Sequence, residues 1–395
     1  MKKSIKIFAT LSIAALASIS LASCSDWTEP EALEFERSLT ESSHGDADSP
    51  YYRNLRAYKA DKNHTVCFGW FSDWTGVGTD AGGKLMGMPD SLDFVSMWGN
   101  WHSLSPEKAE DYRRVKSIKG TRVMICFIIA NIGDQTTPAK VRQEKIVDGV
   151  QYDTEAQALA AFWGWNGANP STHEDSLVME TAIRKYARSI MDTIAKYDWD
   201  GFDFDLEPSY GSPGNIASHR DRIGYVIDEM SKEMGPESGT DKLLCVDGQP
   251  YSISAESAQK LDYYILQAYY DSSYTSTDSR VNTMLNTFGS IMTREEILSK
   301  IILTGDFESC AELGGTRKSY PDINGKVDER NYYLDRSGNR IPQIYGYATY
   351  TYPGINAHIG GFGAYRFGFD YSNGHNYLYM RQAIQLANPA LQVEE

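Results

Sequence analysis

The chain has 395 residues with a formal net charge of −15, and 41% of its residues are hydrophobic. That acidity argues against nucleic acid or an anionic membrane surface as partner. The length exceeds an average domain but suits one decorated barrel. Tyrosine and tryptophan are abundant, at 26 and 8 residues, which fits either a large core or stacking on sugar rings.

The first residues read as an export signal. Lys2, Lys3 and Lys6 form a positive region, and Ile7 to Leu21 form an apolar stretch too short and too interrupted by Ser and Thr to span a membrane. Leu21-Ala22-Ser23-Cys24 follows and resembles a bacterial lipobox, which implies cleavage before Cys24 and lipid attachment to it. The alternative is an ordinary cleaved signal with an incidental cysteine. Acidic residues just beyond, Asp26 and Glu29, suit export to the outer surface of a Gram-negative cell. Residues 1–23 are therefore expected to be a signal peptide, 24–60 a lipidated cysteine, polar tether and lead-in helix near Arg53 to Ala60, and 61–395 one folded domain.

Strand-like apolar runs then alternate with helix-like segments. Strands are expected at Thr65 to Phe71, Leu92 to Trp98, Arg122 to Ala130, the acidic run ending at Glu207, Lys242 to Val246, Tyr263 to Tyr269, Ile301 to Thr304 and Ile359 to Phe367. The third is apolar nearly throughout, as in a parallel strand covered on both faces. The clearest helix is Leu177 to Tyr197, with Met179, Ile183, Tyr186, Ile190 and Ile194 at helical spacing and Thr172 or Ser176 as N-cap. Others are expected at Ile216 to Met234, Ala255 to Lys260, Val281 to Thr287, Arg294 to Lys300, Gln343 to Tyr350 and Tyr377 to Ala387. Eight strands alternating with helices predict an α/β fold, a single-domain (β/α)8 TIM barrel. An open doubly wound sheet is the alternative. Four cysteines remain beyond Cys24: Cys67, Cys126, Cys245 and Cys310. Their even number permits disulfides, yet strand positions suit small buried thiols. No histidine stands at metal-ligand spacing, so neither a metal nor another cofactor is expected.

The fourth strand carries the chemistry. In Asp200-Gly201-Phe202-Asp203-Phe204-Asp205-Leu206-Glu207-Pro208 the acids at 203, 205 and 207 alternate with apolar residues. On a strand they share one face, while Phe202, Phe204 and Leu206 take the other. An edge strand could solvate such a row, but its opposite face would rarely be Phe, Phe and Leu. A barrel brings catalytic groups to the C-terminal ends of its strands, where Glu207 falls.

This run resembles the D-G-x-D-x-D-x-E signature of glycoside hydrolase family 18, the chitinases and endo-β-N-acetylglucosaminidases. The resemblance implies Glu207 as general acid, its charge disfavoured by flanking acids. It implies Asp205 as the group that orients the substrate acetamido N–H, and Asp203 as a support sharing a proton with Asp205. Catalysis in that family is substrate-assisted. On the sixth strand Gln267-Ala268-Tyr269 matches the family's Q-x-Y element. Tyr269 is expected to donate to the acetamido oxygen, and Gln267 to hold the sugar or the acids. Gly360-Gly361-Phe362-Gly363-Ala364-Tyr365 resembles the family's G-G-x-x-x-W ending, with Tyr365 where many chitinases carry the Trp that floors the sugar. Ala130-Asn131-Ile132-Gly133 keeps only part of the S-x-G-G element. Trp74, Trp98, Trp101, Trp163 and Trp165 fall in loops after the first three strands, where each suits packing or sugar stacking.

Between the seventh and eighth strands, residues 305–358 leave little room for the subdomain that deepens the cleft of processive chitinases. An open cleft suits an endo-acting enzyme on a branched glycan. The first expectation is thus an endo-β-N-acetylglucosaminidase cutting the di-N-acetylchitobiose core of N-glycans, held at the outer membrane by its lipid and working beside other components of a surface glycan-uptake system. A chitinase, or a hydrolase of another N-acetylglucosamine polymer, is the alternative enzyme. A non-catalytic glycan-binding protein on the same fold is the alternative of a different kind.

Overall fold

The computed structural model describes residues 46–389 apart from 79, 209–211, 318–322 and 327–331. The expected signal peptide, the lipidation site Cys24 and the start of the tether lie outside the described residues. Among the described residues no helix is long and apolar enough to cross a membrane.

Eight parallel strands close into a barrel: β1 (Val66–Phe71), β2 (Phe94–Trp98), β3 (Arg122–Ile128), β4 (Gly201–Leu206), β5 (Leu243–Gly248), β6 (Tyr263–Gln267), β7 (Ile301–Asp306) and β8 (Gly361–Tyr365). Their order around the barrel follows the chain, and β1 pairs with β8 to close it. Alternation then divides each strand between two cores. Val66, Phe68, Trp70, Phe94, Met124, Cys126, Leu243, Cys245, Ile265 and Ile302 pack together inside the barrel. The alternate residues meet the helical layer, among them Phe202, Phe204 and Leu206, all fully buried. At about 2 kcal/mol for each buried side chain, those three work against the cost of enclosing the acids on the strand's other face.

The long helix is His173–Tyr197. Thr172 is its N-cap, in a reciprocal capping box with Asp175, so Ser176 is not the cap. Its buried stripe is Met179, Ile183, Tyr186, Ile190 and Ile194. The helix stops at Asp198, in the left-handed region with φ 55°, and Trp199 enters the core at 0% exposure. The chain then turns into β4 at Gly201, whose φ is 152°. A Cβ there would collide with the Leu243 carbonyl of β5. Glycine is thus required where the acidic strand meets its neighbour.

Three expected helices are shorter by two residues or more: Arg220–Met230, Ala255–Ala258 and Gln343–Ala348. The lead-in helix, Pro50–Ala60, starts earlier than expected, as does the long helix, and Tyr274–Phe288 is the most extended because Ser273 caps it with Ser276 well before the apolar run begins. Two unexpected helices fill the second and third connections. Pro106–Arg114 starts at the cap Ser105, and Glu155–Trp163 starts in a capping box of Thr154 and Gln157. Among its described residues, the segment 307–360 carries short helices and a two-stranded hairpin, Tyr333–Leu334 with Arg340–Ile341, and no inserted domain. Cys67, Cys126, Cys245 and Cys310 are free and buried.

Candidate active site

The acidic row of β4 runs up the inside of the barrel. Asp203 and Asp205 are buried, at 0% and 2% exposure, and Glu207 stands half-buried one residue past the strand's end. Beyond it the loop is fastened to the loop after β3. Asn215 Nδ2 donates to the Ala130 carbonyl at 2.9 Å, and Ile132 N–H to the Gly214 carbonyl at 3.0 Å. The Asp134 carboxylate accepts the N–H groups of Ala130 and Asn131 at 3.2 and 2.7 Å. Gly133, at φ 88°, lies against the Trp163 ring where any Cβ would collide. The partial S-x-G-G element is thus a turn that supports the signature loop.

A cleft of about 150 Å³ opens at the C-terminal face, lined by Trp70, Trp98, Ile128, Asp205, Glu207, Asp247, Gln267, Tyr269 and Tyr365. Five of the six expected site residues line it: Glu207, Asp205, Tyr269, Gln267 and Tyr365. Asp203 lies below, out of the cleft. Tyr365 stands among three rings, 5.9 Å from Tyr269, 6.2 Å from Trp70 and 6.3 Å from Trp98 between centroids. Of the loop tryptophans only Trp98 reaches the cleft. Trp74, Trp101 and Trp163 are buried in the outer core, and Trp165 packs against it.

The acids are held by neutral donors. Ser96 Oγ on β2 donates to Asp203 Oδ2 at 2.7 Å, and Trp70 and Cys126 also reach the Asp203 carboxyl. Gln267 Nε2 donates to Asp247 Oδ1 at 2.9 Å, so Gln267 holds an acid. Among the described residues no lysine or arginine ion-pairs with Asp203, Asp205 or Asp247. Burial therefore dominates their protonation. It pushes Asp203 up to about 7 against the pull of its donors. Burial, then the charge of Glu207, pushes Asp205 up to about 7. Asp247 rises well above the carboxylate range through burial, then the charges of Asp205 and Asp203. Burial, followed by the charges of Asp247 and Asp205, keeps Tyr269 a phenol and hence a donor.

Three groups meet closely enough for a cation: the Cys126 sulfur and carboxylate oxygens of Asp203 and Asp247 lie within 4.8 Å of one another. Burial pushes the Cys126 thiol up, whereas a metal ligand must be a thiolate. Ser96 and Gln267 already use carboxylate lone pairs that a cation would need. The chemistry of this donor set does not suit a metal.

Asp247, Ser96, Trp70 and Trp98 were not picked out as site residues from the sequence. The sequence pattern of the fifth strand stops at Val246, before Asp247, whereas the strand runs on to Gly248. The signal was present: Leu243, Cys245 and Asp247 share a face at spacing two. Ser96 likewise follows Phe94 at that spacing.

Among known proteins, the sequence matches the family described as Glycoside hydrolase family 18, BT1044-like, over residues 28–386. A solved structure of BT1044, a selenomethionine form with a glutamate-to-glutamine substitution, is similar at a TM-score of 0.66 and 29% identity, covering 86% of this chain and 92% of that one. An endo-β-N-acetylglucosaminidase from Cordyceps militaris, doubly substituted and in complex with fucosyl-N-acetylglucosamine-Asn, is similar at a TM-score of 0.54 and 18% identity, covering 88% and 98%. Its apo form is similar at 0.53 and 17%, with the same coverage. No curated protein matches the chain.

Proposed function

The chain belongs to glycoside hydrolase family 18, and from that premise we propose that it is an endo-β-N-acetylglucosaminidase. It hydrolyses the β-1,4 bond of the di-N-acetylchitobiose core of N-glycans by retaining, substrate-assisted catalysis. The observation that carries the reading is the convergence of Asp205, Glu207 and Tyr269 on one cleft at the C-terminal face. In this reading Glu207 protonates the glycosidic oxygen as the C1–O bond breaks. The substrate's acetamido oxygen attacks C1 from the opposite face and closes an oxazolinium ring. Asp205 accepts the acetamido N–H and balances the ring's positive charge, while Tyr269 donates its hydroxyl to the acetamido oxygen and aims it. Glu207, now ionised, takes a proton from water as the water attacks C1, and the ring reopens with net retention. Asp203 supports Asp205 from below, and Tyr365 with Trp98 offers an aromatic wall to the sugar.

The plain connection between β7 and β8 favours an N-glycan over chitin, because among its described residues no inserted domain walls the cleft into a groove for a linear polymer. The test is product mapping. Purified protein is incubated with an N-glycoprotein and with chitin oligomers, and products are identified by mass spectrometry. Glycan ending in one N-acetylglucosamine, with the other left on Asn, supports the proposal. Chitobiose from chitin alone supports the chitinase reading, and no product from either supports a glycan-binding protein. The lipobox reading further proposes an anchor at Cys24 on the outer membrane; an N-terminal peptide carrying acyl chains at Cys24 in the mass spectrum supports it, and an unmodified Cys24 refutes it.

A further inference from the structure

We infer that Asp247 is a protonated carboxyl that holds Asp205 in place, so that the proton serving Asp205 lies on β5 and not on Asp203. This inference rests on the enzymatic reading above and concerns a residue outside the family signature.

Register sets up the arrangement. Asp205 of β4 and Asp247 of β5 are paired across parallel strands, so both side chains project into the barrel at the same height. Asp247 is 0% exposed and within hydrogen-bonding reach of both Asp203 and Asp205. Asp203 acts on Asp205 through its charge, while its hydrogen-bond partners are Ser96, Cys126, Trp70 and Asp247.

Two observations then locate the proton. Oδ1 of Asp205 is buried and has no donor among the described residues. Such an orphaned acceptor is costly, and Asp247 is the side chain placed to hydrogen-bond with Asp205. A proton on Asp247 turns that residue into a donor. Gln267 Nε2 donates to Oδ1 of Asp247 at 2.9 Å and the Cys126 thiol, a weaker donor, to Oδ2 at 3.5 Å, so Oδ2 is the oxygen less committed as an acceptor and the one assigned the proton. Charge points the same way, because three carboxylates packed together without a cation cannot all ionise. The titratable groups facing Asp247 are Cys126 on β3, Asp203, Asp205 and Glu207 on β4, Cys245 on its own strand, and Tyr269 after β6. Burial keeps Cys126, Cys245 and Tyr269 protonated. Asp247 is therefore a positioning residue: it restrains the Asp205 oxygen that must meet the acetamido N–H, and Gln267 restrains Asp247 in turn.

The experiment compares Asp247→Asn with Asp247→Leu. The asparagine amide can still accept from Gln267 and donate to Asp205, yet has no proton to lose. Asp247→Asn is expected to keep kcat within about 10-fold of wild type at acidic pH and to hold it to higher pH. Asp247→Leu is expected to lose at least about 100-fold in kcat, the scale of a mispositioned group, with KM nearly unchanged. An alkaline limb in Asp247→Asn that coincides with wild type overturns the inference, as does a folded Asp247→Asn as impaired as Asp247→Leu. If Asp247→Leu does not fold, the asparagine variant's pH profile decides. A second readout needs no turnover. In infrared difference spectra at mildly alkaline pH, the wild type is expected to show a protonated carboxyl band that Asp247→Asn lacks, and the same band in both refutes the assignment. A wild type inactive on both substrates overturns the enzymatic reading alone, because the infrared result stands apart from it.

Discussion

Asp203→Asn is predicted to stabilise the fold, and to do so at neutral and alkaline pH more than at acidic pH. Asp203 is fully buried, and burial pushes it from 3.8 up to about 7. Near pH 3 the group is protonated in both the folded and the unfolded chain and costs nothing extra. As pH rises the unfolded chain ionises first, so the acid's burden on the fold grows until the pH passes about 7 and is constant beyond. At 1.36 kcal/mol for each pH unit of displacement, the full burden is about 4 kcal/mol. Asparagine removes it while its oxygen still accepts from Ser96 and Trp70 and its amide can donate to Asp247. Imperfect rebonding gives back about 1 kcal/mol, leaving about 3 kcal/mol. With unfolding entropy near 2.1 cal/mol/K per residue, a barrel of roughly 340 residues gains about 4 °C in Tm. Thermal unfolding of both proteins across a pH series checks this. A Tm difference independent of pH, or a variant less stable near pH 8, refutes the argument.

Other outcomes follow from the same geometry. Glu207→Gln is expected to lower kcat by about 10²–10⁴-fold, the contribution of a positioned general acid, with Tm unchanged because Glu207 stands at the cleft and not in the core; wild-type turnover in this variant refutes its role. Trp98→Ala is expected to raise KM and spare the fold, since Trp98 is only partly buried at the cleft wall, whereas Trp101→Ala should cost about 3–5 kcal/mol of stability as a core deletion; calorimetry and kinetics on the pair separate the two. Gly201→Ala is expected to unfold the protein or lower its Tm sharply, through the collision with Leu243 and the unfavourable φ; a native Tm would show that β4 and β5 can move apart. Reducing agent is expected to leave Tm unchanged, because the four cysteines of the described residues are free.

The barrel was legible because parallel strands covered on both sides are apolar runs, and all eight were located within a few residues. Helices were less so. Pro106–Arg114 escaped because only Asp111 and Tyr112 of it are buried, too few to set a period. Glu155–Trp163 is apolar all round its later turns, which blurs the period in another way. In the site, the acids of β4 and the Gln267–Tyr269 pair stood out because polar residues at spacing two on an apolar strand have one physical meaning. Asp247 did not, since a single acid at the end of a strand looks like any turn residue. What distinguishes it is the register with Asp205 across two strands, which one strand's pattern does not contain. The loop tryptophans were ambiguous for the same reason: full burial of Trp101 and partial burial of Trp98 depend on which way β2 ends.

Proton NMR of a glycopeptide during cleavage tests the central claim most directly, because it reports the bond cut and the stereochemistry together. The account predicts released glycan ending in a single N-acetylglucosamine whose anomeric proton appears first in the β form and only later equilibrates. An α-anomer appearing first, or release of the intact chitobiose core from Asn, would contradict it.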